Sequence, residues 1–139
     1  MNQPIEDLPR YLPQRPPFVM IDEICLQDDQ SVTSKFLILP DNVLVADGRL
    51  SESGLIENIA QTAGAGAGVK AIADGQAPTV GYIGALKDLM IFALPGVGKT
   101  LETEIIFAHR VMQALIVKGS IRCENETLIT CELKIFLKA

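Results

Sequence analysis

The sequence predicts an α+β fold in which one antiparallel sheet of about six strands wraps around a long central helix. Two observations lead to this prediction: only one long segment has helical character, and about two predicted strands precede it and four follow it. A chain of 139 residues has the length of one domain, and residues 1–139 contain no linker or internal repeat. Enclosing one helix in one curved sheet is the economical way to combine these elements.

The segment before the helix is predicted to be mostly extended. Five prolines in the first seventeen residues exclude a long helix there and leave room for one short helical turn around Ile5 to Leu8. Phe18 to Leu26 is rich in β-formers, and Ser31 to Leu39 alternates between two faces, so the two are expected to pair as a hairpin. Asp41 to Leu50 is predicted to be a loop that contains an Asp-Gly turn.

The long helix is predicted over Ser51 to Ala73. Ser51 or Ser53 can cap its first turn, Glu52 suits the positive end of the helix dipole, and Asp74-Gly75 ends it. Three glycines alternate with alanines in its second half, at a cost of about 1 kcal/mol per glycine in a helix interior. Such a helix is expected where a surrounding sheet approaches it closely.

The four segments after the helix are predicted strands. Thr79 to Ala93 is long enough for a bent strand, and Leu101 to Ala108, Ala114 to Glu124 and Thr127 to Lys138 follow it. In the last of these every second residue is apolar, which predicts one buried and one solvated face. The apolar set comprises Ile129, Cys131, Leu133, Ile135 and Leu137.

Composition excludes two classes of protein. The longest runs without a charged residue have 12 residues, whereas a membrane span needs about 18. A net charge of -5 argues against a nucleic-acid partner, which selects for a basic face. Because 48% of the residues are hydrophobic and the predicted sheet has exposed edges, we expect a homodimer or a higher oligomer.

Cysteine usage and the first residues indicate the compartment. Cys25, Cys123 and Cys131 form no C-x-x-C motif, so we interpret them as small buried hydrophobes in a reducing environment. The first ten residues have acids and prolines where a signal peptide has a basic and then an apolar stretch. We therefore expect a cytoplasmic protein.

Glu57 is the candidate for chemistry. It is the only ionisable residue between Ser53 and Val69, and Gln61 lies four residues later on the same helix face, with Asn58 beside them. A carboxylate on an enclosed helix is costly unless it is paired or placed at a pocket. From the pattern alone, two interpretations stay open: a catalytic acid or base, or a solvated residue near the wet end of the helix.

The segment Gly54 to Gly64 (GLIENIAQTAG) resembles the central-helix motif of the 3-hydroxyacyl-[acyl-carrier-protein] dehydratases of the hotdog superfamily. Leu12 to Asp22 (LPQRPPFVMID), Gly81 to Lys87 (GYIGALK) and Leu94 to Leu101 (LPGVGKTL) resemble further family segments in the same order. The similarity covers nearly the whole chain. It implies a hotdog fold, a dimer as the minimal unit, and acyl chains presented on acyl carrier protein or coenzyme A.

The resemblance also implies site residues. By analogy Glu57 is catalytic together with Gln61. The candidates for substrate binding are Asn58, Gly84, Val43 and Asp47. The family carries a catalytic histidine on the loop before the helix, and that position falls at Val43 here. Two interpretations of Asp47, ten residues before Glu57, stay open: a replacement for this histidine or, more simply, a residue of the Asp-Gly turn.

Two further positions bear on the missing histidine. Gln14 stands where the family has a histidine in its entry segment. The only histidine of this chain, His109, lies between two late strands and is interpreted as a surface residue.

The resemblance leaves three functions in view. The first is a dehydratase-like protein, similar to the short dehydratase-like proteins of aryl-polyene and related lipid pathways, some of which work beside a second, complete dehydratase. The second is a non-catalytic partner subunit that forms a heterodimer with a catalytic homologue or carries acyl chains on their carrier protein. The third is a hotdog thioesterase, in which one carboxylate activates water. None of the three requires a metal or an organic cofactor.

Overall fold

One helix and one antiparallel sheet make up most of the computed structural model, which describes residues 3–4, 7–76 and 81–137. The helix α1 spans Glu52–Ala73. The strands are β1 (Gln3–Pro4), β2 (Glu23–Asp28), β3 (Ser31–Leu37), β4 (Val45–Ala46), β5 (Arg49–Leu50), β6 (Gly81–Ile91), β7 (Thr100–Val111), β8 (Ala114–Cys123) and β9 (Glu126–Leu137). The sheet order is β1-β2-β3-β7-β8-β9-β6, and β4 pairs with β5 alone. Six long strands and one two-residue strand thus pack against one helix, which confirms the predicted α+β architecture.

The helix begins and ends where the sequence predicts. The Ser51 hydroxyl accepts a hydrogen bond from the Gly54 N–H at 3.2 Å, so Ser51 is the N-cap. At the other end Gly75 has a φ of +75°, a value that favours glycine and stops the helix. Lys70 lies 3.0 Å from Asp74 in the last turn.

Two glycines, which have no side chain, let the sheet and the helix approach each other closely. A Cβ atom at Gly66 would lie 2.5 Å from a methyl group of the fully buried Val32 in β3. On the sheet side, a Cβ atom at Gly119 would lie 3.1 Å from both Ile59 and Ile105. The close approach expected from the glycine-rich helix is therefore present at Gly66.

The first hairpin has shorter strands than predicted. Its first strand begins at Glu23 instead of Phe18, and its second ends at Leu37 instead of Leu39. The backbone of Phe18 and Met20 bonds to side chains of α1, so this stretch has partners other than a neighbouring strand. Met20 and Ile21 are both buried, which breaks the alternation of a strand.

Two other local predictions differ from the structure. The short helical turn expected around Ile5 to Leu8 appears instead as a 3-10 helix over Leu8–Tyr11, while residues 5–6 lie outside the described residues. The predicted loop from Asp41 to Leu50 contains the small hairpin of β4 and β5. Asp47 and Gly48 form its two-residue turn, with φ values of 54° and 75°, as the Asp-Gly signal predicts.

The late strands follow the predicted order with shifted ends. β7 runs on from the expected Ala108 to Val111, and its start moves from Leu101 to Thr100. The residues expected to begin β6 and end β9, 79–80 and Lys138, lie outside the described residues. In β9 the predicted inner residues Ile129, Cys131, Leu133 and Ile135 are buried.

The three cysteines are free thiols. Cys123 and Cys131 are buried, as interpreted from the sequence, but Cys25 in β2 is only half-buried. Burial raises the pKa of the Cys131 thiol to about 11 and raises the pKa of the other two less strongly. In the described part of the chain, no helix is long and apolar enough to cross a membrane.

We expect Gly66→Val to lower the free energy of unfolding by about 2 kcal/mol, because the new side chain must displace Val32 in a close-packed core. Chemical denaturation by urea measures the change. The control is Ala73→Val, which places the same side chain at an exposed position of the same helix and should change stability by less than about 0.5 kcal/mol. Equal effects of the two variants would contradict close packing at Gly66.

We expect iodoacetamide at pH 8 to alkylate Cys25 well before Cys131. Thiolate is the reactive form, and the raised pKa and burial of Cys131 suppress both its formation and its access. Peptide mapping by mass spectrometry over a time course measures both rates in one sample. Faster labelling of Cys131 would show that β9 opens more readily than this packing allows.

Candidate functional site

A groove of about 290 Å³ runs along one face of α1, between the edge strand β6 and the segment that follows the 3-10 helix. We call it the Glu57 groove. Its described lining residues are Tyr11, Leu12, Pro13, Gln14, Glu57, Ala60, Gln61, Gly64, Ala65, Tyr82 and Ile83. Beyond Gln61 the helix lines the groove with two small residues, Gly64 and Ala65. The helical part of the lining, from Glu57 to Ala65, is about two turns long.

Glu57 is the only carboxylate that lines this groove among the described residues. It is the sixth residue of α1 and is half-buried. Within the described part of the chain, its carboxylate has neither a hydrogen bond nor an ion pair. A half-buried carboxylate without a partner is available to a ligand or to a proton in transfer.

Gln61 lies in the same groove, but its amide is committed to the N-terminal segment. Its Oε1 accepts a hydrogen bond from the Met20 N–H at 2.7 Å, and its Nε2 donates to the Phe18 carbonyl at 2.8 Å. One side chain thus bonds to the backbone of residues 18 and 20 as a neighbouring strand would. This arrangement positions Gln61 and holds the segment on the helix.

Asn58 points away from the groove into the core, where it is fully buried. Its Nδ2 donates to the Met20 carbonyl at 2.7 Å, and its Oδ1 accepts from the Thr103 hydroxyl at 2.6 Å. The neighbouring Thr62 hydroxyl bonds to the Asn58 carbonyl and lies 2.7 Å from the Ser34 hydroxyl. These buried polar groups satisfy one another and connect the helix to two strands and the N-terminal segment.

Gln14 also lines the Glu57 groove, although the sequence did not single it out as a candidate site residue. Its side-chain Oε1 is buried without a hydrogen-bond partner among the described residues. The Arg15 guanidinium donates to the carbonyls of Leu12, at 2.5 Å, and Gln14, at 2.8 Å, which fixes the backbone of this turn. The available signal was its position at the entry histidine of the resembled family.

The remaining predicted site residues lie outside the described lining of the groove. Val43 and Asp47 are exposed, and Asp47 borders a separate shallow depression near the start of α1. Gly84 follows Ile83 in β6, where the ring of Phe136 occupies the space that a Cβ atom would need. His109 is exposed in β7, apart from the groove.

A larger hollow of about 750 Å³ lies on the outer face of the sheet. Glu23, Lys35, Glu102 and Arg122 are neighbours across four strands, in a row of alternating charge. Such a row is typical of a solvated sheet face, in which opposite charges stabilise adjacent strands. The hollow has no unpartnered buried polar atom among its described residues, so the Glu57 groove is the better candidate site. No cluster suited to hold a metal ion occurs in the described part of the chain.

The sequence of this chain matches one family of hotdog proteins over nearly its whole length. The family model described as ApeP dehydratase matches residues 6–139, nearly the whole chain. This chain belongs to the ApeP-like dehydratase family. The dehydratase resemblance of the helix motif is thereby confirmed. No curated protein sequence is significantly similar to the chain.

Solved structures share the fold of this ApeP-like protein. The dehydratase heterocomplex ApeI:P from Xenorhabdus doucetiae matches with a TM-score of 0.82 at 22% identity, over 95% of this chain and 91% of that chain. A hypothetical thioesterase from Streptococcus pneumoniae, solved with coenzyme A, matches with a TM-score of 0.67 at 13% identity, over 84% of each chain. The protein smu.793 from Streptococcus mutans, bound to acetyl coenzyme A, matches at 0.71 and 12% identity, over 93% of this chain and 97% of that chain.

We expect Gln61→Met to lower the free energy of unfolding by about 2 to 3 kcal/mol. Methionine has a similar shape but leaves the Met20 N–H and the Phe18 carbonyl without partners. Urea denaturation measures the loss, and hydrogen exchange should show faster exchange of the Met20 amide.

The matched control is Gln76→Met, because Gln76 is exposed after the helix and its side chain makes no bond in the described residues. It should change stability by less than about 0.5 kcal/mol. If Gln61→Met were equally mild, the amide of Gln61 would not hold the N-terminal segment.

Proposed function

We propose that this ApeP-like protein binds 3-hydroxyacyl thioesters and takes part in their dehydration, with Glu57 as the group that transfers protons. The observation that carries the proposal is the half-buried Glu57 carboxylate, which lies in a groove without a partner among the described residues. Family membership supports the reaction class. Acyl carrier protein or coenzyme A would present the substrate, and we place the protein in the cytoplasm.

The reaction breaks two bonds and forms a double bond. A base removes a proton from C2, the C3–O bond breaks, and an acid protonates the departing hydroxyl to give water and a 2-enoyl thioester. Each positioned acid or base typically accelerates such a step by about 10² to 10⁴. In this proposal Glu57 performs one of the two transfers, since it is the only carboxylate lining the described groove.

The second proton-transferring group is proposed to come from another chain. The groove opens beside β6, which among the described strands pairs with β9 alone and so stands at the edge of the sheet. Tyr82, Met90 and Phe92 are at least half-exposed in and after this strand. An apolar edge strand is a surface that proteins cover by association. The Xenorhabdus relative is a heterocomplex, which supports a partner subunit here, either a second copy or a catalytic homologue.

A thioesterase is the second candidate function. A lone carboxylate such as Glu57 is sufficient to activate water for attack on a thioester carbonyl. Two of the structural relatives described above carry coenzyme A or acetyl coenzyme A, which favours a thioester ligand in this fold. Dehydration yields an enoyl thioester, whereas hydrolysis yields a free thiol, so one reaction mixture distinguishes the two.

We expect Glu57→Gln to reduce dehydration of 3-hydroxyacyl thioesters on acyl carrier protein by about 10² to 10⁴-fold, because glutamine keeps the shape but cannot exchange protons. Mass spectrometry would measure enoyl product from the chain alone and from the complex recovered with it from the native host. Wild-type complex should form the product.

The matched control is Glu52→Gln, an exposed carboxylate in the first turn of the same helix, which should leave the rate unchanged. Equal rates for wild type and Glu57→Gln would remove Glu57 from the chemistry and leave the chain a non-catalytic partner. Release of free thiol without enoyl product would identify a thioesterase instead.

A further inference from the structure

The Glu57 groove contains a second group that lacks a partner. Gln14 lines the groove, and its Oε1 atom is buried without a hydrogen bond among the described residues. Leaving a buried acceptor unpaired costs stability, so folded proteins nearly always provide a partner. Here the hydrogen bonds from the Arg15 guanidinium to the Leu12 and Gln14 carbonyls fix the turn that contains Gln14.

No other polar side chain that lines the groove, including the hydroxyls of Tyr11 and Tyr82, bonds to Gln14 Oε1 among the described residues. Gln61, which lines the same groove, directs its amide to the backbone of Phe18 and Met20. Glu57 is an acceptor when ionised, so it cannot donate to Gln14. The groove lining therefore includes two acceptors without partners among the described residues, the Glu57 carboxylate and the Gln14 carbonyl, and a ligand with O–H or N–H donors would complement them.

We infer that Gln14 is a ligand-binding residue whose Oε1 accepts a hydrogen bond from a donor on the bound thioester. This inference rests on the proposed function and adds a recognition group to it. Two parts of such a substrate carry donors: the 3-hydroxyl group of the acyl chain, and the amide N–H groups of the pantetheine arm. Both present the same chemistry to Gln14, and the experiment separates them.

Binding is measured by calorimetry with four ketone analogues, in which a methylene replaces the thioester sulfur so that no hydrolysis occurs. The acyl chain is either 3-hydroxylated or saturated, and the other end is either pantetheine or a plain ethyl group. Wild type is compared with Gln14→Leu, which has a similar volume and no acceptor. The control is Gln76→Leu at an exposed position.

Gln14→Leu should weaken binding about tenfold for the ligands that carry the relevant donor and leave the others unchanged. Loss confined to the two hydroxylated ligands identifies the hydroxyl, and loss confined to the two pantetheine ligands identifies the arm. If wild type and Gln14→Leu bound all four ligands with equal affinity, the role assigned to Gln14 would be overturned and the proposed function would not be affected. If wild type bound none of them, the proposed function would fail as well.

The stability of the free protein provides an independent readout. Gln14→Leu should raise the Tm by about 2 to 4 °C, because it removes a buried acceptor that has no partner among the described residues. Calorimetric melting of both proteins without ligand measures the shift. If Gln14 had a purely structural role, its replacement by leucine would lower the Tm. A lowered Tm would therefore also overturn the inference.

Discussion

The structure depends on one constraint: polar groups on a helix that a sheet encloses must find partners inside the protein. Asn58 meets this constraint through Met20 and Thr103, and Gln61 meets it through the backbone of Phe18 and Met20. The chain before the first long strand is therefore held by the helix. Glu57 and Gln14 line the groove without meeting this constraint among the described residues, and an unpaired polar group in a native site is where binding or chemistry is expected.

Small residues on the same helix perform two tasks. Gly66 admits Val32 of the sheet, which brings the strand close on one side. Ala60, Gly64 and Ala65 line the groove on the other, where their short side chains leave space beside Glu57. The glycine content lowers intrinsic helix propensity, so packing by the sheet must stabilise α1. The same enclosure that stabilises the helix gives the carboxylate its protected position.

The order of the elements and the long helix were predictable because local rules dominate there: Ser51 caps, Gly75 terminates, and the alternation in β9 reports one buried face. The start of β2 was not predictable, because the hydrogen bonds that replace strand pairing at Met20 come from side chains about forty residues away in sequence. For the site, the sequence singled out Glu57 as the lone charge of the helix. A single sequence does not show how distant segments pack. It therefore could not reveal that Asn58 points into the core or that the Gln14 Oε1 lacks a hydrogen-bond partner among the described residues.

The bonds from Gln61 to residues 18 and 20 also bear on how the protein folds. The chain between them must close a loop of about forty residues before either bond can form, and the entropic cost of closure grows with loop length. Contacts of this kind lower folding rates relative to those within a hairpin such as β8 and β9. Docking of the N-terminal segment is thus expected late in folding, after the helix and the late hairpins. The groove that needs this segment as one wall then forms last.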